Sequence, residues 1–183
     1  MTIVSHFFWN WYLFRNRTWV WGFACAGVLP DLPYFLLLAY YSARWRVNGF
    51  SNLAAWDLAW RSPLLVALHS FVIWAAVAVV ISCAAGPRLR KALVPVWAGW
   101  LSHIVIDMLT HRSDGYPIFY PLSGYRFPTP VSYWEPAYHG REFMLLDSLL
   151  MTGLFLHFVL TRRRGGGRET GAPLESAPLP AQR

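Results

Sequence analysis

Residues 92–110 read ALVPVWAGWLSHIVIDMLT, an apolar run about as long as a membrane-spanning helix requires, with His103 and Asp107 set inside it. Two further apolar runs share this property. Residues 19–41, WVWGFACAGVLPDLPYFLLLAYY, carry Asp31, and residues 63–86, PLLVALHSFVIWAAVAVVISCAAG, carry His69. An ionisable group in hydrocarbon costs several kcal/mol on most scales, so such groups face a partner, a water-filled cavity or a bound ion. The expected fold class is therefore all-α. It is an integral membrane helical bundle of about four long apolar helices, a short N-terminal helix and an aromatic-rich external loop.

Composition agrees. Of 183 residues, 56% are hydrophobic and 14% charged, against about a quarter charged in a typical soluble domain. Eleven Trp, nine Tyr and twelve Phe suit the membrane–water interface, where amphipathic aromatics concentrate. The net charge of +7 does not indicate nucleic acid. Its basic residues sit in short clusters between the apolar runs, with no basic helix face or zinc-finger spacing. Arg88 to Lys91 and Arg162 to Arg164 instead mark cytoplasmic edges by the positive-inside rule, which places the loop 111–142 outside. Cys25 and Cys83 lie within apolar runs as structural thiols. No basic n-region precedes the first apolar stretch, which argues against a cleaved signal peptide.

Along the chain, residues 3–14 are too short to span and are expected to be half-inserted. Pro30 and Pro33 should interrupt the second run around Asp31, because a proline inside a helix removes a backbone hydrogen bond. Such breaks are tolerated at membrane depth where they line a cavity. Residues 42–62 predict an interfacial helix around LAAWDLAW. A third long helix is expected over 63–85, stopped by Gly86-Pro87, and a fourth over 92–110. Five prolines exclude a regular helix from 111–142, and a last helix is expected over 143–161. The membrane-embedded domain is thus 1–161, and the Gly/Pro/Ser-rich segment 162–183 reads as a disordered cytoplasmic tail.

The polar groups share a depth. Counting about 1.5 Å per residue from the basic markers puts His6 at about 15 Å, His103 at about 18 Å, Asp31 and Asp107 at about 20–25 Å and His69 at about 25 Å. His103, Asp107 and His111 follow at i, i+4 and i+8 along one helix face, a spacing that lets successive turns reach one cation. Asp31 also suits an N-cap before Leu32-Pro33. The candidate metal ligands are His6, Asp31, His69, His103, Asp107, His111 and His139. Asp107, Glu135 and Glu142 are the candidate catalytic carboxylates, and Arg112, Arg126 and Arg141 are placed to pair with phosphate. Mixed imidazole and carboxylate ligation suits zinc, with manganese or iron as alternatives.

The succession of His6, the LPD of Asp31, His69-Ser70 and HIVIDMLT with His103, Asp107 and Thr110, followed by YPLSGYRF, resembles the inner-membrane-associated metal-dependent hydrolases of LexA-binding type. The resemblance covers residues 1 to about 142. Many members carry an earlier His-Arg in the third motif that SPLLVALHS lacks. The order of residues is also distantly similar to that of zinc-dependent phospholipases C, which are all-helical. These likenesses imply a metal site and a hydrolase. The expected activity is cleavage of a phosphoester or other ester, of a small molecule or a membrane lipid, through a metal-activated water. The site would open to the external, periplasmic side of the inner membrane. A non-catalytic metal-binding or transport protein is the alternative.

Overall fold

The structure is a computed structural model and describes residues 1–46 and 52–166. Among the described residues it is all helix and irregular loop, without strands. Helix α1 covers Ile3–Phe14, α2 Val20–Ala26 and α3 Leu32–Trp45, with a 3-10 turn at Leu29–Asp31 between the last two. The short helices α4, Leu53–Trp60, and α5, Pro63–Leu68, follow, then α6, Phe71–Ala84, and α7, Pro87–Thr110. After the aromatic loop, α8 runs over Gly140–Gly166. Val20–Trp45, Pro87–Thr110 and Gly140–Thr161 are long and apolar enough to cross a membrane, and Phe71–Ala84 is a shorter apolar helix. Exposed Leu145, Leu149, Phe155, Leu156 and Leu160 along α8 offer the surface that lipid chains would cover.

Two differences from the sequence expectation have clear causes. The run 63–85 is not one helix, because Ser70 adopts an extended conformation and caps α6, accepting from the amides of Val72 and Ile73. A side-chain acceptor at this position satisfies amides that the helix leaves unpaired. The fourth helix begins at Pro87 rather than at residue 92, since the Gly86-Pro87 pair that ends one helix also opens the next: Pro at the first helical position loses no hydrogen bond. Helix α8 starts at Gly140 and continues to Gly166; the tail from residue 167 lies outside the described residues.

The helices that carry the site pack closely. Helix α2 lies along α7, and α1 lies on α2. Gly99 makes the first contact possible: a Cβ there would stand 2.2 Å from the Phe23 carbonyl oxygen. Small residues at helix interfaces allow backbones this near in a membrane. A separate apolar cluster, Tyr34 and Leu38 of α3 with Ala55, Ala59, Leu65 and Tyr116, ties α3 to α4, α5 and the loop. All of this belongs to one unit, Met1–Asp147; a second begins at Ser148, within α8.

Candidate metal centre

Three local features bring four side chains together. The prolines around Asp31 break the second run as expected. Asp31 occupies the N-cap of α3 but its carboxylate caps no amide, which leaves both oxygens free for other work. His69 ends α5 at the interruption, and its Nδ1 donates to the Leu65 carbonyl at 2.7 Å. His103 and Asp107 lie one turn apart on α7, and His103 Nδ1 donates to the Gly27 carbonyl at 2.8 Å.

Those two hydrogen bonds decide which ring atoms the site presents. A carbonyl only accepts, so Nδ1 carries the proton in both rings, and in the neutral imidazole Nε2 presents a lone pair. The two Nε2 atoms face one another at 3.0 Å. Asp31 Oδ1 is 3.5 Å from each, and Asp107 Oδ2 is 3.5 Å from His69 and 3.3 Å from His103. Four electron-rich atoms, one from each residue, thus lie within 4.8 Å of one another. A proton can join only one pair of them. Ligands held tetrahedrally at about 2.0–2.1 Å from a cation stand about 3.3 Å apart, close to the 3.0 Å between the two imidazoles and the 3.3–3.5 Å between imidazole and carboxylate. The residues present fit a divalent cation.

The other oxygen of Asp107 faces a different group. His6 Nε2 is 2.9 Å from Oδ1 and His111 Nε2 is 3.5 Å from it. The Met1 amino group lies 2.8 Å from the same oxygen and 2.7 Å from His111 Nε2. His111 sits one residue past α7, with Nδ1 2.8 Å from Asp114 Oδ2. Its expected helical stacking on Asp107 is therefore replaced by a cap position that still reaches the carboxylate. His6 stacks on His103 with ring centroids 4.0 Å apart, and its own Nδ1 is buried without a partner among the described residues.

A family model described as YdjM inner membrane protein matches residues 8–168. The chain belongs to the YdjM inner membrane protein family. No curated protein and no solved structure matches it. The YdjM match begins just after His6 and includes the four residues of the cage, and it supports an inner-membrane location without reaching a reaction.

In this YdjM-family chain two cavities border the centre, and a third adjoins them. A slot of about 220 Å³ touches Asp31, Asp107 and His111 and is walled by Tyr34, Phe35, Trp56, Trp60 and Trp134. A void of about 10 Å³ lies among His69, Asp107, His111 and Tyr116. A larger polar chamber of about 740 Å³, sharing Trp60 and Tyr116, carries Asp57, Arg61, Asp114, Arg126 and Glu135. Arg61 was not singled out by the sequence, because it reads as an ordinary i, i+4 partner of Asp57, which it is.

The remaining candidates divide. Glu135 lines the chamber and accepts from the Ser113 amide at 2.8 Å. Arg126 lines it too, donating to the Gly115 carbonyl. Arg112 is spent on the Thr129 carbonyl and the Tyr138 ring. His139, Glu142 and Arg141 are exposed, and the structure does not bring them into the cluster. His139 instead takes a left-handed backbone conformation, with φ 61°, immediately before α8. Asp147, expected from the sequence near the outer mouth as a solvated or structural group, is buried and accepts from Ser5 Oγ and Trp9 Nε1, both at 2.6 Å. These bonds set the rotation of α1 that turns His6 toward Asp107.

Proposed function

We propose that the protein is a membrane-embedded metal-dependent hydrolase that cleaves a phosphoester or other ester with an apolar part. The observation that carries this reading is the convergence of His69 Nε2, His103 Nε2, Asp31 and Asp107 at tetrahedral ligand spacing, with no donor among them. These four residues would hold one cation, and His6 and His111, on the other oxygen of Asp107, a second. Zinc suits this donor set, with manganese or iron as alternatives. A cation so held would lower the pKa of a bound water to about 7 and polarise a substrate oxygen.

The surrounding residues support hydrolysis over transport. The aromatic slot beside the cage offers an apolar wall for an acyl or prenyl chain, while the adjoining chamber supplies Arg61 and Arg126 for negative charge and Glu135 for proton transfer. A transport path would have to continue past His103, where Gly99 against Phe23 leaves no space between α2 and α7. With Arg88, Arg90 and Lys91 at the cytoplasmic start of α7, Asp107 lies about 24 Å further along that helix, so the cavities open toward the periplasm. The order of motifs shared with the inner-membrane metal-dependent hydrolases points the same way.

Elemental analysis of detergent-purified protein tests the reading. One or two zinc or manganese per chain, lost in His103→Ala/Asp107→Ala, is the expected result and opens a screen of ester and phosphoester substrates. Absence of metal from the wild type after reconstitution with zinc, manganese and iron would sink it.

A further inference from the structure

Two tyrosines at the centre hold hydroxyls that nothing among the described residues uses. Tyr34 and Tyr116 are both buried, and neither hydroxyl has a hydrogen-bond partner among the described residues. A buried hydroxyl left unpaired costs about 1–3 kcal/mol, and elsewhere the site satisfies its polar atoms well: three of its four histidines have a bonded Nδ1. Tyr34 lines the aromatic slot together with Asp31, Asp107 and His111. Tyr116 lines both the small void against His69, Asp107 and His111 and the polar chamber beyond.

Tyr116 is also held rigidly. Its ring is sandwiched between His69, at 4.0 Å between centroids, and Trp60, at 4.9 Å. Tyr34 meets the edge of the same Trp60 at 5.9 Å. A phenolic hydroxyl is protonated at neutral pH and can donate a hydrogen bond. Fixed neutral donors beside a cation site are suited to an oxygen that carries negative charge, because their dipoles need no rearrangement when that charge arrives.

We propose that Tyr34 and Tyr116 form a two-hydroxyl cradle that donates to the anionic oxygens of a bound phosphoryl group. The assignment rests on the hydrolase reading above and adds the substrate-contacting donors that the metal ligands do not provide. The phosphoryl group could be free phosphate or the headgroup of a lipid whose chain lies in the slot, and both sources present the same oxygens to the cradle.

The test titrates zinc-loaded, detergent-purified protein with orthophosphate and, separately, with dihexanoyl phosphatidic acid, measuring binding by calorimetry and zinc by elemental analysis. Tyr116→Phe and Tyr34→Phe should each weaken both ligands about 10- to 100-fold at wild-type zinc content, the scale of one hydrogen bond to a charged group. Tighter wild-type binding of the lipid than of orthophosphate would assign the lipid as the source, and equal binding the free ion. Zinc retention shows that the cage still folds; should Tyr116→Phe lose zinc through its stacking on His69, Tyr34→Phe carries the comparison. Wild-type affinity for orthophosphate in zinc-replete Tyr34→Phe and Tyr116→Phe would overturn the cradle, as would failure of the zinc-loaded wild type to bind either ligand. Absence of zinc from the wild type would overturn the hydrolase reading itself, a separate result.

Discussion

The two oxygens of Asp107 look onto halves of the centre built to different standards. On the Oδ2 side, His69 and His103 each have Nδ1 tied to a backbone carbonyl, and Asp31 is freed from capping by the turn that presents it. On the Oδ1 side, His6 has no such tie, His111 is oriented by the half-exposed Asp114, and an amino group shares the space. The contrast teaches that a ligand set is made by the atoms behind the ligands. Backbone carbonyls fix a tautomer for as long as the helix exists, whereas a side chain at the rim fixes it only while that side chain stays in place.

Breaking the shared element should have the largest effect. Asp107→Asn removes the charge common to both halves, and purified protein should lose all of its bound metal by elemental analysis. His6→Ala should cost only the Oδ1 half, so that a wild type loaded with two equivalents falls to one; loss of both would show that the halves are not separable. Asp114→Asn should retain the metal but lower affinity on the His111 side about 10- to 100-fold, read by competition with a chelator of known affinity. The smallest change is Ser70→Ala, which removes the cap of α6 and should lower stability by about 1 kcal/mol in a detergent unfolding assay, with metal content unaltered.

Much of the Oδ2 half was legible from sequence, since Asp31, His69, His103 and Asp107 are polar residues in apolar runs and have little to do there except meet. The spacing of His103 and Asp107 gave their common face directly. The prolines told where the second run breaks, while the break at His69 was hidden because Ser70 acts through a side-chain hydrogen bond that no helix-breaking residue announces. Tyr34 and Tyr116 could not be picked out among nine tyrosines; only the burial of unpaired hydroxyls distinguishes them. His139 and Glu142 lie exposed, outside the cluster. Their chemistry was suitable, but the path of an irregular loop depends on tertiary contacts that periodicity does not encode.

The loop over the site is sewn to the end of α7. Tyr133 N–H donates to the Thr110 carbonyl, Thr129 Oγ to the Leu109 carbonyl, and Arg112 to the Thr129 carbonyl, while Ser70 Oγ reaches the Tyr120 carbonyl from the interrupted third run. A cover stitched at so many points is a roof rather than a lid. Under the proposed reading, traffic to the centre then needs no gating motion of the loop: it would pass through the aromatic slot that already touches Asp31, Asp107 and His111.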